Sequence, residues 1–137
     1  TLYTLDFIIN EGREHGVPQY GIDKAKEVAK VQRANLKRAY QAGVRFAYGT
    51  DAAVFPHGRN ARDFAILVEQ LGVPPMEAIR MATQSSADLI GISDRVGTLE
   101  SGKWADMIAV DGDPLKNIRV LENVSFVMKG GTVYKGR

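Results

Sequence analysis

The sequence predicts an α/β protein in two parts, an alternating helix–strand half to about residue 91 and a strand-rich tail over 92–137. Residues 23–42 repeat apolar side chains at helical spacing, and a five-residue strand pattern follows at 44–48. The order helix, strand, loop, helix is one unit of a parallel α/β fold. After Gly91 the apolar period changes from helical to strand-like. These observations together predict the fold class.

The first elements are predicted from the positions of glycine and proline and from the spacing of apolar residues. Residues 1–6 indicate the end of a strand, and 7–21 indicate a loop because glycine and proline recur there. The helix over 23–42 is the longest predicted, and Gly43 is placed to end it. The strand over 44–48 follows at once.

The middle of the chain predicts a loop and then short helices. The loop covers 49–59, and Asn60 is placed to cap the next helix with help from Asp63. That helix ends at Gly72. Two further helices are predicted, one over 76–82 after the paired prolines and one over 85–90.

The tail predicts short strands separated by tight turns. The strands are expected over 96–99, 105–110, 124–128 and 132–134. Ser101-Gly102 is one expected turn, and Gly130-Gly131 is a two-residue hairpin signal. A parallel sheet needs several strand–helix units, and the tail has too few strands for an independent sandwich. We therefore expect both halves to be incomplete and the chain to be a fragment whose partner segment precedes Thr1.

Composition narrows the class of protein. The chain has 137 residues, a formal net charge of +2, and basic residues interleaved with acidic ones over 24–38, which indicates a solvated helix face rather than a nucleic-acid site. The absence of cysteine excludes disulfides and cysteine metal sites and fits a cytoplasmic protein. Neither an apolar run of about 20 residues nor a signal segment occurs, so no membrane association is expected.

The strongest chemical candidate is Asp51, in Gly49-Thr50-Asp51 after the predicted strand. Active sites of parallel α/β folds lie at that end of the strands, and a carboxylate there can bind a metal or act as a general base. Capping of a turn is the structural alternative. Among the other candidates, His57 beside Arg59 is suited to a substrate carboxylate or a lid, or it is a surface histidine without a role. Tyr3 is expected either to face the same site as Asp51 or to pack in the core.

Metal-ligand counting sets a limit on what the chain does alone. A catalytic zinc site usually takes three protein ligands rich in histidine. The chain contains two histidines, His15 and His57, in no metal-binding spacing. Phosphate-binding glycine loops and the Gly-x-Ser-x-Gly motif are also absent, and Ser85-Ser86 fits helix capping better than nucleophilic catalysis.

Six segments have a recognisable sequence and order, and they are 42–44, 48–52, 55–62, 75–83, 97–110 and 127–131. Through these segments the sequence resembles the amidohydrolase superfamily, and through 55–62 the branch related to Xaa-Pro dipeptidases and carboxypeptidases. The resemblance covers nearly the whole chain.

This resemblance implies the C-terminal part of an eight-stranded (β/α)8 TIM barrel, with strand 8 and the last helices over 1–91. It also implies that 92–137 supplies C-terminal strands of a small β-sandwich. Asp51 would then be a catalytic metal ligand that moves a proton between water and the leaving nitrogen. His57, Arg59 and Tyr3 would bind substrate. Zinc or another divalent metal, in a mononuclear or binuclear centre, is the implied cofactor.

The implied reaction is hydrolysis of an amide or peptide-like bond in a dipeptide or N-acyl amino acid by metal-activated water. The family's other metal ligands are missing from this chain, so we expect the chain alone to be inactive. Expected partners are the N-terminal barrel portion, a peptide or amino-acid-derived substrate, and further copies in a homo-oligomer. The alternatives are a non-catalytic binding or assembly module, or a lactonase, phosphotriesterase or deaminase on the same scaffold. Asp106, Asp111 and Asp113 belong to a structural signature and are assigned to turns.

Overall fold

The computed structural model describes residues 1–136. They form two compact units, the first made of Thr1–Val44 with Gly49–Val73 and the second of Arg45–Tyr48 with the residues from Pro74 onward. The first unit is helical, and the second combines helices with an antiparallel three-stranded sheet. The predicted α/β class is therefore confirmed in this coarse sense. The finer assignment to a barrel over 1–91 and a sandwich over 92–137 stays a prediction.

The first unit is built from three helical segments: α1 Tyr3–Asn10, α2 Gln19–Gln41, and α3 Arg62–Ala65 continued by the π-helical turn Ile66–Gln70. The long predicted helix is confirmed as α2, which begins earlier than expected. Gly43 ends it with φ of +81°, and Val44 N–H donates to the Ala39 carbonyl at 3.0 Å. This is the glycine stop expected from the sequence.

The N-terminal segment corrects one sequence prediction. Residues 1–6 were expected to be a strand end and 7–21 a loop, but α1 occupies Tyr3–Asn10 and only the turn after it is irregular. Asp63 explains the difference: its carboxylate accepts hydrogen bonds from the N–H groups of Leu2 and Tyr3 at the start of α1. A cap supplied by a residue sixty positions away leaves no local signal in the sequence.

The core of the first unit joins α1, α2 and the residues after Gly49. On α2 the buried side chains are Ile22, Ala25 and Ala29, spaced so that they form one stripe. They share this core with apolar residues from the rest of the unit, among which the buried ones are Leu2, Tyr3, Phe7, Phe55, Ala65, Ile66, Leu71 and Val73. The opposite face of α2 carries most of its charged residues and is exposed.

The predicted strand over 44–48 is wrong for the chain as described, because these residues form neither helix nor strand. Within the second unit, Tyr48 N–H donates to the Met81 carbonyl at 3.1 Å and to Ser86 Oγ at 3.0 Å. A strand requires a neighbouring strand to pair with. Among residues 1–136 the sheet consists of the three tail strands alone, so this segment has helical neighbours instead.

The α-helices of the second unit are α4 Pro75–Ala82 and α5 Gln84–Leu89, both close to their predicted bounds, and a 3-10 helix covers Ile118–Glu122. Pro75 occupies the first turn of α4, where its missing N–H costs nothing. Gly91 ends α5 with φ of +73°, and the Ile92 N–H donates to the Ala87 carbonyl at 3.0 Å.

The sheet of the second unit has the order β1–β2–β3, with β1 Met107–Val110, β2 Val124–Lys129 and β3 Thr132–Lys135. Both pairings are antiparallel. Gly130 and Gly131 join β2 to β3 with φ of +54° and +81°, the two positive values that a type I′ turn requires. The predicted hairpin is thus confirmed.

The predicted strand over 96–99 is wrong, and that over 105–110 begins later than expected. Gly97 has φ of +100°, which lies outside the extended region, and the Arg95 carbonyl accepts from Trp104 N–H at 2.8 Å. No helix within residues 1–136 combines the length and apolar character required to cross a bilayer.

Candidate functional site

Asp51 lies on the surface of the first unit, in the segment 49–61, which we call the Asp51 loop. Its backbone has φ of +55°, and two residues later Ala53 has φ of +112°. The Asp51 carbonyl accepts from the Val54 N–H at 3.3 Å, which closes a tight turn. Non-glycine residues adopt such φ values only when their surroundings hold them there. The loop is therefore a constrained segment.

Phe55 anchors the Asp51 loop to the core. Its side chain is buried, and its ring lies 4.8 Å from the ring of Tyr3 in an edge-to-face arrangement and 6.3 Å from that of Phe7. Full burial of an aromatic side chain contributes about 1.5–3 kcal/mol relative to exposure. Packing of Phe55 therefore holds the loop in place just after its two positive-φ residues.

Thr50, which precedes Asp51, is held by two hydrogen bonds. Its carbonyl accepts from the Thr4 hydroxyl at 3.3 Å, and its own hydroxyl accepts from Asn60 Nδ2 at 3.0 Å. Asn60 was expected to cap the following helix, but Ala61 occupies the N-cap position and makes no side-chain cap. Asn60 instead joins the two ends of the Asp51 loop.

Tyr3, Glu11, Arg59 and Arg62 form a polar group that we call the arginine cluster. Arg59 Nη1 donates to Glu11 Oε2 at 2.6 Å, and Arg62 Nη1 donates to the Tyr3 hydroxyl at 2.6 Å. The Tyr3 hydroxyl also lies 3.4 Å from Glu11 Oε1 and 3.4 Å from Arg59 Nη1. The structure therefore brings together Tyr3 and Arg59, two of the predicted substrate-binding residues.

The charges of the arginine cluster stabilise one another. The hydrogen bond from Arg59 lowers the pKa of the Glu11 carboxyl below its ordinary value of 4.5. In turn, the bond to Glu11 raises the pKa of the Arg59 guanidinium. The Arg59 side chain keeps 33% of its surface exposed, so it is not fully enclosed by the protein. A cluster of this kind can exchange its internal carboxylate for one from a substrate.

The two histidines differ in their surroundings. His57 is exposed on the Asp51 loop, between Phe55 and Arg59. His15 lies in the turn after α1, with its ring 5.0 Å from the ring of Phe7. This ring contact gives His15 a packing role beside the buried Phe7. His57 stays a predicted substrate-binding residue.

Three residues that contact Tyr3 or Arg59 were not selected from the sequence as site residues. Glu11 and Arg62 complete the arginine cluster, and Asp63 caps α1 below it. Burial raises the pKa of Asp63 above its ordinary value of 3.8. The spacing of Arg59 and Arg62 is the one local signal that could have indicated Arg62, since residues three apart approach the same face of a helical turn.

A metal centre is not complete in this chain. Within the described residues 1–136, no three His, Cys, Asp or Glu side chains are grouped so that they can hold a metal ion. Asp51 is exposed and supplies one carboxylate. The residues present therefore do not fit a resident metal by themselves, whereas a single ligand contributed to a larger site is compatible with them.

Comparison with known proteins gives consistent matches along the chain. The model of the amidohydrolase family matches residues 1–135. The ochratoxinase of Aspergillus niger is 39% identical over 102 residues, which are 72% of this chain and 21% of the ochratoxinase. The deaminase of 5-methylthioadenosine and S-adenosylhomocysteine from Teredinibacter turnerae is 38% identical over 101 residues, 61% of this chain and 23% of the deaminase.

Among solved structures, a Xaa-Pro dipeptidase with methionine bound in its active site superposes with a TM-score of 0.88 and 40% identity. The match covers 98% of this chain and 33% of the dipeptidase. The chain thus spans about a fifth of its curated relatives and a third of this structural one.

Proposed function

Because the chain belongs to the amidohydrolase family, we propose that it supplies the Asp51 part of the active site in a metal-dependent hydrolase of peptide-like C–N bonds. The observation that carries the proposal is the match to the Xaa-Pro dipeptidase, which extends over 98% of the chain at 40% identity. Dipeptides with a C-terminal proline and N-acyl amino acids are the substrates we favour.

Asp51 is the catalytic residue in this proposal. A divalent metal, zinc in our prediction, would activate water and polarise the scissile carbonyl when bound. Since this chain alone does not complete a metal centre, we assign to it a single carboxylate ligand. The carboxylate oxygens of Asp51 would also accept a proton and return it to the leaving nitrogen, which is the ordinary role of a general acid–base.

The arginine cluster is the proposed site for the carboxylate of the substrate. Arg59 lies on the same loop as Asp51 and His57, and its side chain is partly exposed. A planar guanidinium binds carboxylates through two parallel hydrogen bonds. We propose that Arg59 and His57 contact this carboxylate and that Tyr3 orients Arg59 through its hydroxyl.

Deamination of a purine nucleoside derivative is the second candidate, because the match to the deaminase from Teredinibacter turnerae reaches 38% identity. The two reactions share an attack by water with loss of nitrogen. They differ in the carbon that water attacks, which is an amide carbonyl in the first and the amino-bearing carbon of a purine ring in the second. Lactonase, phosphotriesterase and binding-module functions have no comparable observation in their favour.

The remaining predictions about the protein accompany this proposal. We propose that the complete enzyme includes an N-terminal barrel portion, that it forms a homo-oligomer, and that it acts in the cytoplasm. The barrel and sandwich division at residue 91 belongs to the same proposal.

Asp51→Asn in the complete enzyme containing this chain tests the function. The substitution keeps the size of the side chain and removes its charge and its basicity. We expect kcat for a Xaa-Pro dipeptide to fall about 100-fold or more, with an unchanged melting temperature. Asp94→Asn, which alters a carboxylate with 75% of its side chain exposed, is the control and should keep turnover. Full activity of the Asp51 variant would overturn the proposal, and turnover of adenosine derivatives without peptidase activity would favour the deaminase.

A further inference from the structure

Asn60 bridges the two ends of the Asp51 loop with both atoms of its side-chain amide. Its Oδ1 accepts from the Gly58 N–H at 3.3 Å, and its Nδ2 donates to Thr50 Oγ1 at 3.0 Å. The orientation of the amide is fixed by chemistry, since a backbone N–H can only donate and must face the oxygen. The side chain of Asn60 therefore connects the residue before Asp51 to the residue after His57.

Thr50 is also tied to α1 through its backbone. Its carbonyl accepts from the Thr4 hydroxyl at 3.3 Å. This carbonyl belongs to the peptide unit that joins Thr50 to Asp51, so the bond fixes the plane from which the Asp51 side chain projects. Thr4 and Asn60 thus restrain the same residue from two directions.

The backbone around Asp51 needs such restraint. Asp51 and Ala53 both have positive φ, at +55° and +112°, and neither is glycine. A conformation of this kind persists only where the surroundings over-determine it. After these two residues, the Phe55 side chain is buried in the core. Before them, Thr50 has the two hydrogen bonds just described.

We infer that Asn60 and Thr4, acting through Thr50, are positioning residues that hold the Asp51 carboxylate in its working place. The inference rests on the proposed function, in which Asp51 carries the chemistry. Since a displacement of about 1 Å at a reacting group costs up to 100-fold in rate, loss of this restraint should lower kcat while leaving substrate affinity nearly unchanged.

Thr50→Val and Thr50→Ser form the matched pair for the test in the complete enzyme. Valine keeps the shape of threonine and removes the hydroxyl that accepts from Asn60, whereas serine keeps that hydroxyl. We expect Thr50→Val to lower kcat by about 10-fold to 100-fold with KM changed less than about 3-fold, and Thr50→Ser to stay within about 3-fold of the parent.

Asn60→Ala tests the same contact from the exposed side, and remains informative if Thr50→Val does not fold. Because Asn60 acts through Thr50, the double variant should be no slower than the slower single variant by more than about 3-fold. Asn35→Ala, at an exposed asparagine of α2, is the control and should leave kcat unchanged.

The results separate the positioning inference from the proposed function. Loss of turnover in Asp51→Asn together with unchanged kcat in Thr50→Val and Asn60→Ala would overturn the positioning role alone. Multiplying losses in the double variant would overturn action through Thr50. Unchanged turnover in Asp51→Asn would remove the proposed function itself, whatever the Thr50 variants do.

Discussion

Arg59 Nη1 lies 2.6 Å from Glu11 Oε2, and this ion pair joins the Asp51 loop to the turn that follows α1. The guanidinium also lies 3.4 Å from the Tyr3 hydroxyl, so a buried tyrosine orients it. Arg59 is therefore both a structural tie and the proposed ligand for a substrate carboxylate. These two roles can be measured separately.

Arg59→Lys should weaken binding of the substrate carboxylate. Lysine keeps the charge but loses the planar, two-point hydrogen bonding of the guanidinium. We expect KM for a Xaa-Pro dipeptide to rise about 10-fold with little change in kcat. A dipeptide amide, which lacks the carboxylate, should show the same KM with both enzymes. An equal loss for acid and amide would remove the carboxylate role, and Arg13→Lys on the exposed turn is the control.

Glu11 should contribute stability that depends on pH. Its pKa is lowered in the folded protein by the hydrogen bond from Arg59. This contribution is therefore complete above the ordinary value of 4.5 and is lost as pH falls through the lowered pKa. Urea unfolding across this acid range should show a shallower loss for Glu11→Gln than for the parent. Glu14→Gln, at an exposed position of the same turn, should retain the parent's slope.

Asp63 should show the opposite dependence on pH. Burial raises its folded-state pKa above 3.8, so the folded protein retains a proton that the unfolded chain has lost. Stability associated with this group is complete below 3.8 and decreases as pH rises through the raised pKa.

Two substitutions separate the charge of Asp63 from its role as a cap. Asp63→Asn should flatten the pH dependence and still cap α1, because the amide oxygen accepts from the Leu2 and Tyr3 N–H groups. Asp63→Ala removes the acceptor and should cost about 1–2 kcal/mol of unfolding free energy. Equal stability of the two variants at neutral pH would show that the cap contributes nothing.

Elements with local signals were predicted well from the sequence. Helix α2 has an apolar stripe and a terminal Gly43, and the β2–β3 hairpin has Gly130-Gly131. In each case the determining residues lie within or beside the element. The same reasoning selected Asp51 and Arg59 from one short stretch, although their roles remain proposals.

Segments whose structure depends on distant partners were predicted wrongly. Helix α1 is capped by Asp63, and the segment 44–48 has no neighbouring strand among residues 1–136. The arginine cluster is assembled from residues 3, 11, 59 and 62, and the turn after α1 brings Glu11 to it. Long-range contacts of this kind leave no periodic pattern in one sequence.

Gly97 should be required for packing as well as for backbone conformation. A Cβ added there would lie 2.8 Å from the Ala87 Cβ, and φ is +100°. Gly102 has φ of +90° with open space around it, so it provides a control in which only the backbone matters. We expect Gly102→Ala to cost about 1 kcal/mol and Gly97→Ala about 1–3 kcal/mol more. Equal costs in denaturant titrations would exclude the packing effect.

Replacing Ala53 by glycine should raise the stability of the protein and lower its activity. With φ of +112° it occupies a region where glycine is favoured, so Ala53→Gly should raise the unfolding free energy by up to about 1 kcal/mol. The same change removes a restraint on the turn beside Asp51, and we expect kcat of the complete enzyme to fall several-fold without a matching change in KM.

Ala52→Gly is the control for Ala53→Gly. Ala52 has no positive φ, so its replacement by glycine should lower the unfolding free energy by about 0.5–1 kcal/mol. Equal destabilisation by Ala53→Gly and Ala52→Gly would show that the positive φ of Ala53 does not strain the folded protein. If Ala53→Gly stabilised the protein and left kcat intact, the strain would be real but unconnected with the placement of Asp51.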